Sequence, residues 1–141
     1  MKIKSLATAA WACLAVVTAS PVLAHGEAAE TVSKVFDRPI TNIPGKSLVT
    51  VEVDYAPGAA SVPHSHAKSA FIYAYVLSGA IESKVNDGET RTYRAGESWF
   101  EPPNAVHSVS RNASKTEPAR LLAVFVVDTG DNVLTTPIKQ P

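Results

Sequence analysis

The sequence predicts an all-β fold, a sandwich or small barrel. Two observations carry this. Apolar residues alternate with polar ones, or run in short blocks of strand length closed by turn residues, and no ten-residue segment repeats its apolar residues with the period of a helix. Strands that recur at such short intervals are characteristic of antiparallel sandwiches and barrels.

Taken in order, Val49, Val51, Val53 and Tyr55 alternate with Thr50, Glu52 and Asp54, the period of a half-buried strand that ends at the Pro57-Gly58 turn. Phe71 to Leu77 is nearly all apolar and predicts a strand covered on both faces. Ser78-Gly79 interrupts it, and Ile81 to Val85 resumes. Asn86-Asp87-Gly88 then reads as a hairpin turn before Thr90 to Tyr93. Val106 to Val109 follows the Pro102-Pro103 break, and Leu121 to Val127 is a buried strand closed by Asp128-Thr129-Gly130-Asp131.

Residues 1–24 stand apart. Lys2 and Lys4 precede an apolar run centred on Ala9 to Val17, and Val22-Leu23-Ala24 is small at both positions a signal peptidase reads. The reading is a secretory signal peptide over 1–24, hence a periplasmic or secreted protein. The apolar run is too short for a comfortable span and no second one follows, so no stable membrane anchor is expected. The remaining chain divides into an N-terminal arm over 25–46 with room for an edge strand, a β core over 47–130 and a C-terminal tail over 131–141.

Removing the signal takes away two lysines and no acids, leaving 11 basic against 13 acidic residues, a net charge of −2 with histidines neutral. That balance lacks the basic face that phosphate backbones require, so no nucleic-acid partner is expected. The lone cysteine, Cys13, leaves with the signal. A chain without cysteine in an oxidising compartment draws its stability from the sheet core, helped by a metal or a second subunit.

The chemistry-bearing residues fall in two segments. His64-Ser65-His66 follows Gly58 by the spacing Gly-x5-His-x-His, and His107 closes the run from Gly96 through Pro102 and Asn104. On a strand, two histidines with one residue between them point to the same side and can reach one ion. At these residues the chain resembles the cupin superfamily: Gly58, His64, His66 and Gly79 match its first motif, and Gly96, Pro102 and His107 its second. The resemblance implies a double-stranded β-helix, or jelly roll, and a metal site formed by His64, His66 and His107. Two departures stand out. The motif's acidic ligand would fall within Ala70, Phe71 and Ile72, none of which can bind a metal, and Asn104 replaces a glycine, a change tolerable because asparagine adopts positive φ.

The resemblance therefore implies a three-histidine site whose other positions are left to water or substrate. Neutral imidazoles narrow the metal little: Fe, Ni, Cu, Zn, Mn or Co all fit the donor type. Near the motifs, Tyr73, Tyr75, Trp99 and Phe100 either line the pocket or pack the core, while Glu101 either orients an imidazole as an acceptor or lies exposed at the turn before two prolines. Cleavage after Ala24 would also expose His25 as an N-terminal copper chelate. Two function classes follow: a dioxygenase-type enzyme acting on a small metal-chelating anion, and a noncatalytic module that binds a metal or small ligand. Self-association into a homodimer would cover exposed strand edges.

Overall fold

The computed structural model describes residues 29–139, so the expected signal peptide and His25 lie outside the described residues. Ten strands follow one another in the described residues, with no helix between them. They are β1 (Glu30–Pro39), β2 (Lys46–Tyr55), β3 (His64–His66), β4 (Phe71–Ser78), β5 (Ala80–Val85), β6 (Arg91–Arg94), β7 (Ser98–Glu101), β8 (Val106–Asn112), β9 (Ala119–Asp128) and β10 (Thr135–Pro137). They form two five-stranded sheets, ordered β1-β2-β9-β4-β7 and β10-β3-β8-β5-β6. The pairings within both are antiparallel. This is the jelly roll, with one qualification: among the described residues the two sheets are not closed into a barrel by a continuous hydrogen-bonded ladder.

Period-two alternation places the core between the sheets. Val49, Val51, Val53 and Tyr55 of β2 are buried, as are Ile72, Ala74 and Val76 of β4 and Leu121, Phe125 and Val127 of β9. Each large side chain so buried contributes roughly 1.5–3 kcal/mol relative to exposure. The expectation that β4 is covered on both faces is not met. Phe71 and Tyr73 remain 45% and 44% exposed, because the outer face of the first sheet has no layer over it among the described residues. Phe71 stacks instead on Phe100 of neighbouring β7 at 5.9 Å, and Tyr73 on Tyr75 at 6.4 Å.

The turns follow their chemistry. Among the described residues, Asn86 and Asn104 are the two non-glycine residues with positive φ, at 51° and 61°, so the asparagine in place of the motif's glycine takes up the backbone shape that glycine would supply. Asn86 also caps the end of β8, its side-chain oxygen accepting the Val106 N–H at 2.9 Å. The sheets extend beyond 47–130 at both ends. β1 is the ten-residue edge of the first sheet, and β10, a short run of Thr135, Thr136 and Pro137, pairs with His66, Ser65 and His64. No helix of the described residues is long and apolar enough to cross a membrane.

Candidate metal centre

The second sheet assembles the three histidines. β3 puts His64 and His66 on the same inward side, and β8 lies antiparallel beside it with His107 directly opposite His64. One ligating atom from each of His64, His66 and His107 can be chosen so that all lie within 4.8 Å of one another, a spacing that can hold a metal ion. The ring centroids are 4.8 Å apart for His64 and His66, 5.4 Å for His64 and His107, and 5.9 Å for His66 and His107. His66 and His107 are buried, whereas His64 stands on the more open side.

Each imidazole is held by its other contacts. His64 Nδ1 donates to the Val62 carbonyl at 2.7 Å, which leaves its Nε2 as a lone pair. His66 Nδ1 points at the Leu134 carbonyl at 3.4 Å, and Ser83 Oγ lies 2.8 Å from His107 Nε2. Burial disfavours the charged forms. It pushes His107 down to about 4, against the partial opposition of the Glu101 charge, and it lowers His64 despite the Val62 hydrogen bond. These two rings are therefore neutral at ordinary pH, the state a metal requires.

Glu101 is the residue whose place the sequence left open. Its side chain is buried, 2% exposed, with Oε2 at 2.9 Å from His66 Nε2 and Oε1 at 3.4 Å from His107 Nδ1. Trp99 Nε1 donates to Oε1 at 3.1 Å. Burial is the largest influence on the Glu101 carboxyl and disfavours its charge, while the nearby His107 and the Trp99 N–H favour the ionised form. The alternation of β7 explains the placement: Trp99 and Glu101 face inward, while Ser98 and Phe100 face out. Of the four aromatic residues proposed for the pocket or the core, only Trp99 is buried, packed on Tyr93 at 4.6 Å and near His107 at 6.2 Å.

The histidines open onto a cavity of about 330 Å³ between the sheets. Its walls are mainly apolar, built by Val51, Val53, Ile72, Leu121 and Phe125, and among the described residues neither Lys nor Arg lines it. Away from the histidines a polar group interrupts the apolar wall. The buried Tyr55 hydroxyl bonds Ser61 at 2.6 Å and Ser110 at 2.8 Å, and Ser61 bonds Glu30. Burial raises the Tyr55 hydroxyl above its ordinary value, so it stays protonated. Sequence reasoning did not reach Ser83, Ser61, Ser110 or Glu30. Serine on a strand carries no periodic signal, and only the register of distant strands brings these groups together.

Comparison with known proteins agrees with this fold. The profile of the cupin domain family matches residues 51–125. A germin-like protein, subfamily 2 member 2, of Arabidopsis thaliana is 32% identical over 93 residues, covering 61% of this chain and 41% of the plant protein, so the chain matches well under half of that relative's length. A double-stranded β-helix protein of Klebsiella pneumoniae superposes with a TM-score of 0.62 at 22% identity, over 82% of this chain and 88% of its own. A recombinant oxalate oxidase solved in complex with glycolate superposes with a TM-score of 0.58 at 27% identity, over 70% of this chain and 51% of its own.

Proposed function

The chain belongs to the cupin domain family, and on that premise we propose that it is a metal-dependent cupin enzyme acting on a small metal-chelating anion, with oxygen-dependent oxidation as the reaction class. The observation that carries this is the convergence of His64, His66 and His107 on the wall of an open, largely apolar cavity. A divalent ion bound there would supply a Lewis-acidic or redox centre with open coordination positions. The protein's own groups do the rest. The histidines fix the centre, and Val51, Val53, Ile72, Leu121 and Phe125 exclude water and receive the apolar body of the ligand.

The lining narrows the ligand. With no lysine or arginine on the cavity wall among the described residues, the metal itself must attract the anion. The Glu101 carboxylate beside the histidines disfavours a second negative charge. The fitting ligand is a monoanion that chelates through two oxygens, such as an enolate, a catecholate or a hydroxy-carboxylate. A structural relative at 27% identity was solved with glycolate, a small ligand of this kind. Export after cleavage at Ala24 belongs to the same reading, and N-terminal sequencing of the exported protein should begin at His25.

The test is direct. Protein purified without added metal is analysed for its metal content, then loaded with Fe(II), Mn(II), Cu(II) or Ni(II) and offered a panel of such anions. At least one should change the visible spectrum and consume O2. Spectral change without O2 consumption would favour a noncatalytic binding module, and no response from any metal would remove the enzymatic reading.

A further inference from the structure

The first motif has no carboxylate, yet one stands beside the histidines. Ile72 pairs directly with Glu101 across β4 and β7, so the two side chains issue from neighbouring points on the same inner face. Glu101 Oε2 and His66 Nε2 lie 2.9 Å apart; both atoms are buried, and neither has a hydrogen-bond partner among the described residues. The reason lies in what holds each group. His66 Nδ1 faces a carbonyl oxygen, which needs the ring proton there and leaves Nε2 as a lone pair. Trp99 satisfies Glu101 Oε1, and Oε2 is left free.

Two acceptors facing each other in a buried site repel, and unpaired buried polar atoms are costly. A cation against both removes the conflict. The 2.9 Å separation is also that of adjacent ligand atoms each about 2.0–2.2 Å from one ion. We propose that Glu101 is a direct ligand of the metal held by His64, His66 and His107, so that β7 supplies the carboxylate that the first motif lacks. The assignment rests on the metal-binding reading above. It makes the site a three-histidine, one-carboxylate centre in which Trp99 aims the carboxylate.

The experiment uses Co(II) as probe on the full mature chain stripped of metal, reading affinity by calorimetry and ligand set by visible absorption. Glu101→Gln keeps the size of the side chain and an oxygen for Trp99, and circular dichroism confirms its fold. It should bind Co(II) roughly 100-fold more weakly than wild type, with shifted cobalt bands. Glu101→Ala should behave alike, and the double variant Ile72→Glu/Glu101→Ala should regain much of the affinity, because it returns a carboxylate from the paired position. Glu101→Gln binding with wild-type affinity and spectrum would overturn the assignment. Weaker binding with unchanged bands would overturn it too, by making Glu101 a positioning residue.

His64→Ala separates this inference from the reading beneath it. Loss of Co(II) in His64→Ala beside undiminished binding in Glu101→Gln keeps the histidine site and removes Glu101 from it. A wild-type chain that takes up no Co(II) overturns both.

Discussion

His64 and His107 face each other across the β3–β8 ladder, so the two halves of the site, 43 positions apart in sequence, are fixed to one another by backbone hydrogen bonds and not by loops. Sites held on paired strands keep their geometry because moving either residue breaks the ladder.

This pairing gives the histidines unequal structural roles. His64→Ala should abolish tight metal binding while leaving the fold intact, since His64 lies on the more open side. His107→Ala should also lose metal, and in addition destabilise the metal-free protein by about 1–3 kcal/mol, because it leaves Ser83 and a carboxylate oxygen of Glu101 facing a void. Metal-to-protein ratios and thermal melts of the metal-free variants check both halves. Full metal content in all the histidine variants, His66→Ala included, would remove the site.

Acid should weaken the metal-free protein earlier than its carboxylates alone would dictate. His107 is held down to about 4 by burial and His64 is lowered for the same reason. Between about pH 6.5 and pH 4 the unfolded chain therefore takes up protons that the folded one refuses, and stability falls as pH falls. His107 alone contributes a slope of about 1.4 kcal/mol per pH unit across that window. Denaturant titrations at a series of pH values measure the slope, and a flat profile above pH 4.5 would contradict the burial of a neutral His107.

Much of this architecture was legible because alternation reports a half-buried strand faithfully: Val49, Val51, Val53 and Tyr55 all turn inward on β2. Motif spacing likewise located the three histidines. Alternation fails where both faces of a strand carry apolar residues. Phe71, Tyr73 and Phe100 read as core, yet they lie on a sheet face with no covering layer among the described residues. The strand β10 was invisible because Thr135-Thr136-Pro137 has no apolar pattern, and its stability comes from pairing with β3. Glu101 could be read as either site or surface, and only the side on which Trp99 falls decides the question. An acid two residues from an inward tryptophan on a short strand must itself point inward.

Gly79 and Gly58 both have positive φ, at 71° and 75°, but their surroundings differ. A Cβ on Gly79 would lie 2.6 Å from the Pro118 carbonyl oxygen and 2.8 Å from Ala119 Cβ, whereas one on Gly58 would meet nothing within 4 Å. Gly58→Ala should thus cost only backbone strain, about 1–2 kcal/mol, and Gly79→Ala roughly 3 kcal/mol or more, because β4, β5 and the start of β9 must also move apart. Urea unfolding curves distinguish them, and equal losses would mean that the strands give way freely.

Trp99→Phe isolates the hydrogen bond that aims the carboxylate. Phenylalanine keeps an aromatic ring against Tyr93, where the tryptophan packs at 4.6 Å, but it cannot donate to Glu101 Oε1. Freed of that N–H, the carboxylate gains rotational freedom and loses one of the groups that favour its ionised form. Metal affinity should therefore fall about tenfold, the scale typical of removing a group that orients a ligand. The metal-free melting temperature should drop only modestly, since most of the buried ring area is retained. Co(II) calorimetry beside thermal melts makes the comparison. A large loss of stability with unchanged affinity would place Trp99 in the core alone and leave the orientation of Glu101 to its own strand.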